Sequence, residues 1–163
     1  YWWQALLDGK LDWVVSDHAC CSEELKTDNQ DPKDDDNIWV SKSGFGGTEY
    51  LLSGLVSEGS KRGLSYNKMA ELVCWNPAHR YGLNNKGDIA VGYDADLVLL
   101  DPDEDFTVKA EESESGQGYT PFEGMQLRGK VKTTILRGHT VYSNNEVIGN
   151  AKGQYIARPT PRP

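Results

Sequence analysis

The stretch Leu11-Asp12-Trp13-Val14-Val15-Ser16-Asp17-His18-Ala19-Cys20-Cys21 decides how this chain is read. Its apolar run Trp13-Val14-Val15 predicts a short buried strand over about 11–16. Before it, Tyr1 to Leu7 reads as the end of an amphipathic helix, and Asp8-Gly9-Lys10 as a turn. Helix, turn and strand together form the αβ half of an α/β repeat. In barrels built from such repeats, functional side chains sit at the carboxyl ends of the strands. That places Ser16-Asp17-His18 where chemistry is expected. An Asp there can bind a metal ion through one oxygen. It can also take a proton from metal-bound water and deliver it to a leaving nitrogen. The plainer alternative has Asp17 capping a turn and His18 hydrogen-bonded within a loop.

Further along, residues 17–47 are polar and irregular, and Asp31-Pro32-Lys33-Asp34-Asp35-Asp36 is a solvated charge run. One hypothesis makes this acidic run a lid over a pocket mouth. Gly44-Phe45-Gly46-Gly47 lacks the Lys-Ser/Thr ending of a phosphate loop. Its glycines instead permit close approach of backbone to a ligand, or serve as a hinge before a helix. That helix is predicted from about Thr48 to Lys61, with Leu51, Leu52, Leu55 and Val56 on one face. Ser65 is placed to cap a second helix over Tyr66 to Trp75. Asn76-Pro77 is predicted to restart a short helix with Asn as its cap, and Gly82 to end it.

After Gly87 the texture becomes β. Strands are expected at Leu97 to Leu100, Phe106 to Val108, Lys130 to Leu136 and Thr140 to Tyr142. Arg137-Gly138 joins the last two as a hairpin. Asp94 and Asp96 read as a tight turn into the first strand, not as metal ligands. His79 and His139 read as structural or exposed, and Asn76 as structural. The tail from Arg158 is expected to be extended. Two parts are therefore expected: residues 1–86, and a small β layer with a tail over 87–163.

The net charge of -8 disfavours nucleic acid and anionic membranes as partners, since both need basic faces. No run approaches the roughly 18 apolar residues of a membrane span, and no signal peptide is expected. Cys20, Cys21 and Cys74 are odd in number and show no CxxC spacing, which fits a reducing compartment and a cytoplasmic location. The chain opens on Tyr1-Trp2-Trp3 and not on Met, so upstream sequence is expected.

Several segments taken together resemble the cyclic amidohydrolases, the family of dihydroorotases, allantoinases and hydantoinases (dihydropyrimidinases). They are Asp8 to His18, Gly44 to Glu49, Asn76-Pro77-Ala78, Gly87 to Leu97, Pro121-Phe122-Glu123-Gly124, Thr134 to Gly138, and Val141-Tyr142. They occur in collinear order over nearly the whole chain. The resemblance implies the last strand–helix unit of a TIM-like (β/α)8 metallohydrolase barrel, with its eighth strand ending at Asp17. It also implies the carboxyl-terminal part of a small β-sandwich.

The resemblance makes Asp17 both a metal ligand and the proton shuttle. Cys21, Gly46 and Gly47 become substrate contacts. It implies two divalent ions, often zinc, held by an HxH pair, a carbamylated lysine and two further histidines. The only histidines present are His18, His79 and His139, and none forms HxH. Zinc needs about three or four protein ligands, so this chain alone is not expected to hold the metals.

Dihydroorotases usually continue the motif as Ala-Pro-His, whereas this chain has Ala19-Cys20-Cys21. Allantoinases are closer, with a Cys there and an acidic residue and lysine following; Glu23 or Glu24 and Lys26 fit. A small cyclic amide of the allantoin or hydantoin type is the expected substrate, ahead of dihydroorotate. A homo-oligomer is implied by the resemblance alone. The alternatives are a non-catalytic relative acting as a scaffold, and a fragment inactive by itself.

Overall fold

The structure is a computed structural model and describes residues 1–27 and 37–158. The hypothesised lid at 31–36 and the end of the tail beyond Arg158 lie outside the described residues. Helix α1 spans Trp2–Leu7 and buries Ala5 and Leu6. Gly9, with φ +70°, turns the chain after it.

The expected strand at 11–16 is not formed among the described residues. The segment pairs with no sheet, and Val15 is 64% exposed. A strand is defined by its neighbours' hydrogen bonds, and no other strand lies beside this one. It docks instead on a helix. Val14 N–H donates to Leu72 O at 3.2 Å, and Asn76 Nδ2 donates to Asp12 O at 2.6 Å.

A short helix α2 covers Glu24–Thr27. A 3₁₀ turn at Thr48–Tyr50 leads into α3, Leu51–Ser60. Helix α4, Tyr66–Ala70, starts as expected at Ser65, whose Oγ accepts from Lys68 N–H at 3.2 Å. The expected break at Asn76-Pro77 does not occur. The chain passes through a π-helical turn, Glu71–Trp75, directly into α5, Asn76–Arg80. Proline removes an N–H and crowds the carbonyl one turn earlier. Widening that turn relieves the clash without ending the helix. Asn76 is thus freed from capping and ties the helix to Asp12. Gly82, at φ +69°, ends it.

The β part is one antiparallel meander in the order β1-β2-β3-β4, with strands Leu97–Thr107, Gln126–Leu136, His139–Ser143 and Glu146–Val147. The two short strands expected at 97–100 and 106–108 are one strand. It is interrupted by an irregularity between Asp101 and Asp105, opposite Lys130 and Arg128. Pro102 in that bulge cannot donate to the ladder, which is why the sequence there reads as a break. The β2–β3 turn is Arg137-Gly138, both at positive φ, as a two-residue hairpin loop requires. A second such turn at Asn144-Asn145 adds β4, which the sequence reading did not anticipate.

The core joins the helices to the sheet. Leu6, Leu55, Val56, Leu64, Met69 and Leu72 form its buried centre, and Leu100 of β1 packs on it. Gly129 of β2 makes this approach feasible. A Cβ there would sit 2.5 Å from Val56 Cγ1. At the sheet's entry Lys86 ion-pairs with Asp94 at 2.7 Å and with Asp96, and Asp96 Oδ1 accepts Arg137 N–H at 2.8 Å. Asp94 and Asp96 are structural, as their turn-like spacing predicts.

Candidate functional site

Asp17 sits at the end of the 11–16 segment with φ +49°, a left-handed conformation that costs a non-glycine residue about 1–2 kcal/mol. Such strain persists only where the surroundings over-determine it. Here they do, on both sides. Ser16 Oγ and Thr48 Oγ1 share a hydrogen bond of 3.0 Å, and His18 N–H donates to Ser16 Oγ at 3.3 Å. His18 Nδ1 accepts Gly47 N–H at 3.1 Å and Thr48 N–H at 3.4 Å. Ala19 N–H donates to Phe45 O at 2.9 Å. The Asp17 turn is therefore laced to the glycine loop and to the start of the helical segment that follows.

The glycines allow this lacing. A Cβ on Gly44 would lie 2.6 Å from Ala19 Cβ, and one on Gly46 would lie 2.4 Å from both amide atoms of Gln117. Gln117 is only 5% exposed. Its Nε2 donates to Tyr119 O at 2.5 Å, while its Oε1 has no hydrogen-bond partner among the described residues. The sequence reading missed Gln117. The Pro121-Phe122-Glu123-Gly124 motif beside it was the available signal, and Phe122 indeed packs 3.6 Å from where a Gly47 Cβ would be.

An open, mostly apolar pocket of about 700 Å³ results, with Asp17, Gly46 and Gly47 on its wall beside Trp3, Phe45 and Phe122. Tyr50 also faces it. Burial pushes the Tyr50 phenol above its usual range; a Ser113 hydrogen bond opposes this in part, and Glu49, Glu123 and Glu112 add smaller upward effects. The ring therefore stays neutral at ordinary pH. Lys26 donates to Lys42 O at 3.0 Å and stacks over Phe45 at 4.2 Å, bracing the loop's far side.

Asp17, Gly46 and Gly47 are thus brought together. Cys21 is buried, its Sγ 3.6 Å from Ser22 O, and lies off the pocket wall. Cys20 is exposed, 3.9 Å from Ser115 Oγ. His79 is exposed and stacks on Trp75, and His139 is exposed at the start of β3.

Residues 3–141 match the model of the Amidohydrolase family. The chain belongs to that family. Members of the family are generally metal-dependent. This amidohydrolase chain is 35% identical over 155 residues to an allantoinase of Rubrobacter xylanophilus, covering 94% of itself and 33% of that protein. It is 36% identical to an allantoinase of Deinococcus radiodurans, again over 94% of itself and 33% of the relative.

Its structure superposes on a D-hydantoinase from Bacillus sp. AR9 with TM-score 0.86 at 33% identity, covering 98% of this chain and 34% of that one. An L-hydantoinase from Arthrobacter aurescens gives TM-score 0.81 at 33% identity, over 91% of this chain and 32% of the other. The chain therefore spans about a third of the length of the relatives it matches.

Among the described residues, no group of three or more His, Cys, Asp and Glu side chains converges to hold a metal ion. Asp17 offers one carboxylate, and Nδ1 of the adjacent imidazole is already taken by two backbone N–H groups. These residues by themselves do not make the three- or four-ligand site a zinc ion requires. No helix among the described residues is long and apolar enough to cross a membrane.

Proposed function

We propose that the protein carrying this chain hydrolyses a C–N bond of a cyclic amide, with an allantoin- or hydantoin-type ring favoured and dihydroorotate next. The observation that carries this reading is a carboxylate, Asp17, held in a strained turn on the same pocket wall as Gly46 and Gly47. The allantoinase and hydantoinase names of relatives covering most of the chain point the same way.

In this reading Asp17 accepts the proton of the attacking water and returns it to the ring nitrogen as the C–N bond breaks. Backbone N–H and C=O groups of Gly46 and Gly47 meet the imide edge of the ring. The apolar wall, with Phe45 and Phe122, limits water beside it. Cys21, which is not among the residues on that wall, is assigned its substrate contact from the family resemblance alone.

A divalent metal pair, zinc in the expectation above, would supply Lewis-acid chemistry in the whole protein. Asp17 is assigned one ligand position, and the other ligands are assigned to sequence outside these 163 residues. Residues 1–86 are assigned to the end of the barrel and 87–163 to the sandwich portion and tail. A cytoplasmic homo-oligomer completes the reading.

The test is to express the complete reading frame that contains this chain and assay allantoin, hydantoin and dihydroorotate. Asp17→Asn should lower kcat by about 10²–10⁴-fold, the range for removal of a general acid–base group. An Asn variant as active as the parent would remove Asp17 from the mechanism. A folded parent that hydrolyses no cyclic amide would favour the scaffold reading.

A further inference from the structure

We propose that His18 is a positioning residue: its imidazole fixes the left-handed turn at Asp17 by capping the helical segment that begins at Thr48. The proposal rests on the reading that Asp17 moves a proton. Its geometric part stands independently.

The first N–H groups of a helix have no partner within the helix and are usually satisfied by the side chain of the capping residue. Here the capping residue is Gly47, which has no side chain. The cap comes from 29 residues earlier instead, where one ring nitrogen, His18 Nδ1, accepts from both Gly47 and Thr48. A nitrogen that accepts carries a lone pair, so the ring proton is assigned to Nε2. Ser16 makes the matching attachment on the other side, through Thr48 Oγ1 and His18 N–H.

Asp17 is thus the single residue between two anchors that grip the same helix start. Its φ of +49° is held by that grip, in a region that Asp tolerates better than most non-glycine residues. Gly47, one of the two donors, is also pocket wall. The carboxylate and the loop that would meet the ring are therefore held as one body, and the imidazole is the part that joins them. His18 itself is not on the pocket wall, so it acts through its neighbours and not on a ligand.

The choice of side chain gives a sharp test. Asn places Oδ1 where His has Nδ1, whereas Gln places its oxygen near Nε2, and Leu has no acceptor. In the complete protein, His18→Leu and His18→Gln should lower kcat by about 10–100-fold, the scale of a misplacement near 1 Å. KM should change far less. His18→Asn should recover most of the loss. Hydrogen exchange at the Gly47 and Thr48 amides should quicken in the Leu and Gln variants and stay slow in Asn.

Equal kcat in parent and Leu variant would overturn the positioning role. So would an Asn variant no better than Leu. Unchanged amide exchange in Leu would overturn the cap itself. If the parent hydrolyses no cyclic amide, the functional reading fails by that result, and the exchange measurement still decides whether His18 holds the turn.

Discussion

Replacing Gly46 by alanine adds one methyl group at the pocket wall, and the structure says what that group meets. The new Cβ would lie 2.4 Å from Gln117 Nε2 and Oε1 and 2.5 Å from its Cδ. Gln117 is 5% exposed and its Nε2 donates to Tyr119 O, so moving its amide away breaks that bond and disturbs buried packing. Overpacking of this kind costs about 1–3 kcal/mol, and breaking the Tyr119 bond adds about 1 kcal/mol. The loop will give way in part. A wall shift near 1 Å beside the reacting ring lowers kcat/KM by up to about 10²-fold.

Gly46 needs no left-handed backbone, unlike Gly44 at φ +111°, so its penalty is steric alone. Gln117→Ala should therefore relieve it. The pair should show a coupling of about 1–3 kcal/mol in a double-mutant cycle. Gly44→Ala would strike Ala19 Cβ at 2.6 Å and its carbonyl oxygen at 3.1 Å, and Gln117→Ala should not rescue it. Thermal midpoints and kcat/KM for these variants of the complete protein make the assay. Strictly additive effects for Gly46→Ala and Gln117→Ala would refute the reasoning.

Gly129→Ala combines a φ of +93° with a 2.5 Å contact to Val56 Cγ1, and should cost about 2–4 kcal/mol by denaturant midpoint. Val56→Ala in the same chain should return only the steric share, because the backbone strain stays. Lys86→Met should cost about 2–4 kcal/mol, since the Lys86 side chain is 12% exposed and its loss leaves Asp94 and Asp96 without their shared cation.

The same cluster sets a pH dependence. Burial works to raise the Asp96 pKa, but the bonds from Lys86 and the Arg137 backbone outweigh it and hold the group below the usual range. Its contribution is present above the ordinary Asp value of about 3.9 and is lost as pH falls through the lower folded value. Burial works to lower the Lys86 pKa, but Asp94 and Asp96 outweigh it and hold the group high. That contribution is full below about pH 10.4 and is lost as pH rises through the higher folded value. Thermal midpoints against pH should show both edges in the parent; Lys86→Met should lose this cluster's alkaline edge and keep a smaller acid edge, because the Arg137 N–H still bonds to Asp96.

Features that depend on a few adjacent residues were legible in the sequence. The Ser65 cap, the apolar face containing Leu55 and Val56, the stop at Gly82 and the Arg137-Gly138 hairpin turn are set by local hydrogen bonding and backbone freedom. Asp17 stood out in the sequence as a carboxylate ending an apolar run, and the structure places it on the pocket wall.

Tertiary structure decided what depends on partners distant in the chain. Whether residues 11–16 form a strand depends on neighbouring strands, and among the described residues they find a helix instead. Asn76 bonds to Asp12 across 64 residues, and His18 reaches Gly47 across 29. Gln117 closes against Gly46, a residue far from it in the chain. Local residue types specify turns and caps, because a few bonds fix them. The position of the carboxylate against the glycine loop is fixed only when distant segments pack together, and no short stretch of sequence contains that information.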